Sequence, residues 1–309
     1  MSDVLVVGAG VIGLTAAVCL AEAGHDVRVR AELLPEETTS AVASGLWTPG
    51  ADVRELAWSR VTYDELMRLD GVAGTGVHVE AGLEVSDLTD GPLEWAADLP
   101  EYRLLTAAEL PPGMRTGLWT RAPMIDLPPY LRYLTRRLAT AGTEIERAVV
   151  RDLRAAVAEA EVVVHCAGLA AGGLAGDPDV VPVRGQHVVV RNPGIGHFYI
   201  EAVADADWTG FFPHGDRLVL AGTSHLGDRN PEPDPVVARG ILDRCARAEP
   251  RLAGAEVLAH QVGLRPARPA VRLDVETYAS GRIVHCYGHG GSGVSLSWGC
   301  AREVVRLVG

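Results

Sequence analysis

The side chains best suited to chemistry lie toward the carboxyl end of this chain. Arg265 sits in Gly263-Leu264-Arg265-Pro266-Ala267-Arg268-Pro269. An arginine offers a planar, permanently charged fork that matches a carboxylate bidentately. Pro266 restricts Arg265 to extended conformations and so holds that fork in a stiff segment. Arg268 and Arg272 are alternatives by residue type but read better as structural or surface ion pairs. Further on comes His285-Cys286-Tyr287-Gly288-His289-Gly290-Gly291-Ser292-Gly293. Gly290 and Gly291 carry no side chains, so a small molecule can approach their backbone carbonyls. The turn Gly291-Ser292-Gly293, followed by Val294, precedes a helical stretch and can offer N–H groups to an electron-rich ligand edge.

At the other end, Gly8-Ala9-Gly10-Val11-Ile12-Gly13 fits G-x-G-x-x-G. Gly8 permits the tight turn, Gly10 a close backbone approach to a pyrophosphate, and Gly13 close helix–strand packing. The helix that begins at Val11 then presents free N–H groups to the phosphates. Glu32 lies where an acid should accept hydrogen bonds from an adenosine ribose. The motif alone does not separate NAD from FAD. The next segment does: Thr38-Thr39-Ser40, followed by Ala43-Ser44-Gly45-Leu46-Trp47, suits a second pass along an extended pyrophosphate and flavin. An NAD domain would continue with another βα unit here.

These groups need a scaffold. Val4 to Val7 reads as a buried parallel strand, Val11 to Ala23 as a helix and Asp26 to Arg30 as a second strand, a βαβ opening. Helices are expected at Val61–Leu69, Pro128–Ala141, Val236–Ala248 and Cys300–Leu307. Strands are expected at Val77–Val85, Glu144–Val150, Glu161–Cys166, Gln186–Arg191, Phe198–Val203 and Arg217–Gly222. The fold class is therefore mixed α/β. A Rossmann-like dinucleotide-binding domain (residues 1–50, 125–180 and 265–309) interleaves with a β-rich substrate-binding domain (51–124 and 181–264).

Composition narrows the function. The chain has 309 residues and a net charge of −12, which disfavours nucleic acid and anionic membrane surfaces as partners. It contains no lysine, so a lysine Schiff base or P-loop lysine is excluded. Five widely spaced cysteines without a C-x-x-C pair read as reduced core thiols, with no metal site and no disulfide framework. No apolar run is long enough for a membrane span and no secretory leader is evident, so the expected location is cytoplasmic.

Taken together, Gly8–Gly13, Thr38–Trp47, Cys166-Ala167-Gly168, Val183-Arg184-Gly185-Gln186 and the two carboxyl-terminal motifs make the whole chain resemble the D-amino-acid oxidase family of FAD enzymes, in its bacterial form. The resemblance implies FAD as cofactor, an amino acid as substrate and molecular oxygen as acceptor, with a homodimer as the assembly considered. It implies that Arg265 binds the substrate carboxylate and that Gly291 faces the amine. It places Val150, Cys166, Ala167, Gly168 and the 290–294 turn against the cofactor, and Thr48 and His289 near the substrate. His289 reads as shaping the turn rather than as a general base. With the substrate clamped, no acid–base residue is required, because the Cα hydrogen leaves as hydride to the flavin. The products are then a 2-oxo acid, ammonia and hydrogen peroxide. One departure stands out. The family's two pocket tyrosines have no counterpart in Asp205-Ala206-Asp207-Trp208-Thr209-Gly210-Phe211-Phe212-Pro213. Trp208 and Phe211 are expected to supply that wall. Glycine, sarcosine and D-aspartate are the alternative substrates of such an enzyme, and a catalytically silent flavin-binding module is the alternative of another class.

Overall fold

A computed structural model describes residues 1–90 and 101–309; residues 91–100, inside the expected 51–124 segment, lie outside the described part. Five strands form a parallel array: β1 (Asp3–Val7), β2 (Asp26–Ala31), β6 (Ile145–Arg147), β7 (Val162–His165) and β14 (Gly281–His289), in the order β14-β7-β1-β2-β6. Their side chains alternate between two cores. Val4, Val6, Val27, Val29, Val162 and Val164 meet helices α1 (Val11–Glu22), α2 (Val53–Leu69), α3 (Leu127–Thr140) and α7 (Gly293–Val308). Leu5, Val7, Val163 and Ile283 meet α4 (Leu153–Val157), with α5 (Ala171–Ala175) nearby. Helix α1 buries eight of its twelve residues, which explains why it reads apolar all round rather than amphipathic.

The second array is mostly antiparallel. It contains β3 (Val77–Ser86), β4 (Tyr102–Leu104), β5 (Thr116–Ile125), β8 (Val181–Arg191), β9 (Phe198–Ala202), β10 (Asp207–His214) and β11 (Arg217–Thr223), with the short β12 (His225–Leu226) beside β8. One face packs on α6 (Pro235–Ala248) through Val188, Val190, Phe211, Leu218 and Leu220. The other face carries Met124, Val189, Phe198, Phe212, Val219 and Ala221, with Leu46, Trp208 and Ala259 against it.

Strand β13 (Val257–Tyr278) joins the arrays into one sheet: Val257–Ala267 pairs with β8 and Arg272–Tyr278 with β14. The two prolines of the arginine motif lie within it. Pro266 sits at the end of the β8 pairing and Pro269 in the irregular stretch between Ala267 and Arg272, where a missing N–H breaks no regular ladder. Residue 265 thus falls inside a continuous strand rather than at a break in the chain.

The expected elements shift at their ends. α2 starts at Val53, where the Asp52 side chain caps the Glu55 N–H at 2.8 Å. α7 starts at Gly293, seven residues before the expected Cys300. Glu144–Val150 shrinks to the three residues of β6. Among the described residues, no helix is long and apolar enough to cross a membrane.

Candidate active site

The glycine motif occupies the β1–α1 junction as its spacing predicts. Gly8 has φ +112°, and a Cβ built on it would lie 2.3 Å from the Cys166 carbonyl oxygen. A Cβ on Gly13 would lie 2.0 Å from the Gly8 carbonyl oxygen. No side chain larger than hydrogen fits at either point. The N-cap residues, Gly10 for α1 and Ser292 for α7, make no side-chain capping bond, and neither helix has an acid in its first turn. Their starts converge: a Cβ on Gly293 would sit 3.9 Å from Cγ1 of both Ile12 and Val11. Two helix N-termini thus direct N–H groups and partial positive charge into one region.

The 38–47 segment closes over this junction. Ser40 Oγ accepts from the Val11 N–H at 3.0 Å. Thr39 is exposed and its hydroxyl donates to the Leu264 carbonyl at 3.3 Å, next to Arg265. Thr38 satisfies its own hydroxyl on Pro35 O at 2.7 Å. Gly45, at φ +82°, is pressed against the Ile125 carbonyl, and Leu46 forms an isolated β-bridge with Met124. Glu32 is exposed, one residue beyond β2. Cys166 is buried behind Gly8, Gly168 faces open space at φ +58°, and Val150 and Ala167 pack on the Leu5–Val7 side of the sheet. The two helix starts, open glycines, the Ser40 hydroxyl and exposed Glu32 fit the pyrophosphate, ribose and ring edge of FAD.

Arg265 is partly buried. Among the described residues its guanidinium makes one hydrogen bond, Nη1 donating to Thr223 O at 3.0 Å, and it faces no carboxylate within ion-pair distance. Burial alone pulls its pKa below the usual arginine value. The other candidates are committed elsewhere: Arg268 pairs with Asp177 at 3.0 Å and Arg272 with Asp274 at 3.1 Å. Arg184, 2% exposed, bonds Asn230 O, Glu232 O and Gln186 Oε1. Exposed Gly291 stands beside Arg265: a Cβ there would touch Arg265 Cδ at 3.6 Å. A buried cation lacking an anion, next to bare backbone, is an anion receptor.

Two neighbours of Arg265 escape sequence reading. A Cβ on Gly185 would fall 2.3 Å from Arg265 Nη2, so this glycine makes room for the guanidinium. His187 lies on the same face of β8; burial first, and the Arg265 charge second, push its imidazole down to about 3. It is neutral at physiological pH. Gly185 stands in the quoted V-R-G-Q motif, but only strand register reveals either neighbour.

Two of the four expected pocket residues, Phe211 and His289, are turned elsewhere. Phe211 is buried on the α6 face, stacked on Tyr199 with centroids 5.2 Å apart. Trp208 lies on the opposite face, the face of Arg265, so the two do not share a wall; strand alternation puts residues 208, 210 and 212 on one side and 211 on the other. Phe212 takes the place given to Phe211. The Trp208 ring folds over Gly210, where a Cβ would lie 2.6 Å from Trp208 Cζ3 and 3.1 Å from the Phe212 ring. His289 is 7% exposed and its Nε2 turns into the core, to Cys286 Sγ at 4.0 Å. Thr48 is held by its N–H on Ser295 Oγ at 3.0 Å.

Known proteins carry the same plan. A family model described as FAD dependent oxidoreductase matches residues 3–307. The chain belongs to this family. Within the D-amino-acid oxidase branch, it is 49% identical to a D-amino-acid oxidase of Streptomyces coelicolor, over 99% of this chain and 96% of that protein. It is 44% identical to a D-amino-acid oxidase of Rubrobacter xylanophilus, over 99% and 95%. The solved glycine oxidase of Bacillus cereus ATCC 14579 superposes with TM-score 0.83 over 100% of this chain and 95% of that one, at 22% identity. That similarity speaks for the fold. FAD is the cofactor of this oxidoreductase family, and the residues around the α1 and α7 starts suit it.

Proposed function

We propose that this chain oxidises neutral D-amino acids to 2-oxo acids, releasing ammonia and hydrogen peroxide. The observation that carries this reading is Arg265, a partly buried guanidinium with no carboxylate partner among the described residues, beside the exposed backbone of Gly291. The 49% and 44% identities to D-amino-acid oxidases support the reaction class. Bound FAD supplies the electron acceptor for the Cα–H bond and returns the electrons to oxygen. The protein contributes binding and alignment. Arg265 holds the α-carboxylate bidentately. The Gly291 backbone faces the amine, and the N–H groups at the start of α7 stabilise negative charge on the ring edge. The apolar face of Trp208, Phe212, Val219 and Ala221 keeps water from the reacting carbon. No side chain need take the Cα proton, which agrees with the neutral, buried His187 and the inward-turned His289. Five free thiols fit a reducing compartment, so the cytoplasm is the proposed location.

With carboxylate and amine fixed, one enantiomer alone aims its Cα hydrogen at the ring while its side chain fits the apolar face. Flavin bleaching under anaerobic conditions should therefore be fast with D-alanine and at least about 100-fold slower with L-alanine. Equal rates with the two enantiomers would refute the proposal.

A further inference from the structure

We infer that Cys286, His289 and Cys300 form a buried binding site for a divalent zinc-class ion. Their ligand atoms lie within 4.8 Å of one another, and all three residues are buried. Cys286 Sγ and His289 Nε2 are 4.0 Å apart. Zinc–sulfur and zinc–nitrogen bonds of ordinary length in a tetrahedral shell put these donors roughly 3.5–3.8 Å apart. The cluster therefore needs only a contraction of about an ångström or less to close on an ion.

The chemistry favours that class. Two thiolates and an imidazole are soft to borderline ligands that select zinc-type ions over magnesium or calcium. Two thiolate charges and one neutral imidazole balance a divalent cation, so the filled site buries no net charge. Two ligands lie on β14, Cys286 within it and His289 at its last residue just before the glycine turn, and the third, Cys300, stands on α7. An ion here would pin the turn bearing Gly290 and Gly291 to the body of α7, which also carries Ser295, the partner of Thr48. C-x-x-C spacing is absent, which is why the sequence alone shows no such site. Cys19 and Cys245 lie apart from this cluster, on α1 and α6, and serve as internal controls.

Because the ligands are enclosed, the ion enters as the chain folds. The holoenzyme should be expressed in zinc-supplemented medium, purified and analysed for metal by mass spectrometry and for zinc ligation by X-ray absorption. The expected result is about one zinc per chain with two sulfur ligands and one imidazole. Cys300→Ala and His289→Ala should lose the metal, while Cys19→Ser and Cys245→Ser retain it. A metal-free wild-type holoenzyme overturns the inference, as does zinc without sulfur ligation. If Cys300→Ala or His289→Ala fails to fold, the wild-type absorption spectrum alone decides. Zinc retained in both folded variants also overturns it.

Discussion

Gly185 and Arg265 are neighbours across β8 and β13, and the guanidinium lies where a Cβ on residue 185 would be, 2.3 Å from Nη2. Gly185→Ala must therefore move Arg265, because every atom the new methyl meets belongs to the guanidinium, the mobile end of that side chain. The backbone at 185 is extended and bears no strain of its own, so the effect should be confined to the arginine. A shift of about an ångström in a positioning group costs on the order of 100-fold in rate. We expect kcat/KM to fall by about that factor with FAD content unchanged. Activity within threefold of the wild type would show that Arg265 has room the structure does not reveal.

Arg265→Ala removes the charge itself. A buried charge-assisted pair contributes several kcal/mol, so kcat/KM should fall at least about 100-fold, with KM carrying much of the loss. The flavin spectrum should persist, since the residues around the α1 start do not depend on this side chain. Retention of normal KM would place the carboxylate ligand elsewhere and end the proposed assignment.

The comparison of sequence and structure is instructive at these same residues. The glycine motif was legible because sterics dictate it: nothing but hydrogen fits beside the Cys166 and Gly8 carbonyls. Arg265 was legible through its motif, but the strand that carries it was not. Two prolines argue against a strand, and β13 accommodates them at the end of one pairing and in the gap before the next. Phe211 faces away because side chains alternate along β10: Trp208, Gly210 and Phe212 share one face, and Phe211, three residues from Trp208, takes the other. Gly185 and His187 come to Arg265 only through strand pairing across long sequence separation. The family resemblance sets His289 near the substrate, whereas its ring fills buried space beside two cysteines.

Ser40 links the cofactor segment to the start of α1, its Oγ accepting the Val11 N–H at 3.0 Å. Its hydroxyl hydrogen is left to donate to a phosphate oxygen of the cofactor in the proposed site. Ser40→Ala loses one hydrogen bond to a charged group, a change of roughly 1.5–3 kcal/mol. FAD affinity should weaken by about 10- to 100-fold, measured by titrating apoprotein and following flavin fluorescence. An affinity within twofold of the wild type would separate Ser40 from the pyrophosphate.

Acid should destabilise the fold well before its carboxylates titrate. Burial holds His165 and His187 at about 3, and lowers His197, His214 and His285 as well. In the unfolded chain these imidazoles take up protons near pH 6.5. Between about 6.5 and 3 the unfolded state therefore binds more protons, and stability falls as pH falls. Glu84 acts in the opposite sense, because burial raises it to about 7 and the folded state keeps its proton. His165 and His187 alone, less the opposing Glu84, leave a net difference of about one proton, so the loss should be at least about 1 kcal/mol per pH unit just below pH 6, and the other three lowered histidines add to it. Urea midpoints at pH 7.5 and 5.5 test this; a midpoint that stays level or rises on acidification contradicts it.

In the proposed pocket the substrate side chain would meet what stands on the Arg265 side of the sheet. On that side of the sheet stand Trp208, Phe212, Val219 and Ala221, all apolar in contact. The Trp208 indole lies over Gly210 and directs its Nε1–H to Ser224 Oγ at 3.2 Å, so in the proposed pocket its ring, not a polar edge, would form the wall. A second carboxylate entering there would need its own cation, and an unpaired buried charge costs several kcal/mol. His187 is held neutral, Arg184 and Arg268 are bound to their own partners, and His289 is turned inward. D-alanine, D-valine and D-methionine should therefore exceed D-aspartate and D-glutamate in kcat/KM at neutral pH. Trp208→Ala should raise the relative rate for D-methionine over D-alanine by opening the wall above Gly210, while leaving D-aspartate poor. If D-aspartate is the better substrate of the wild type, a cation must reach this face on binding, and the enzyme is a D-aspartate oxidase in its substrate choice.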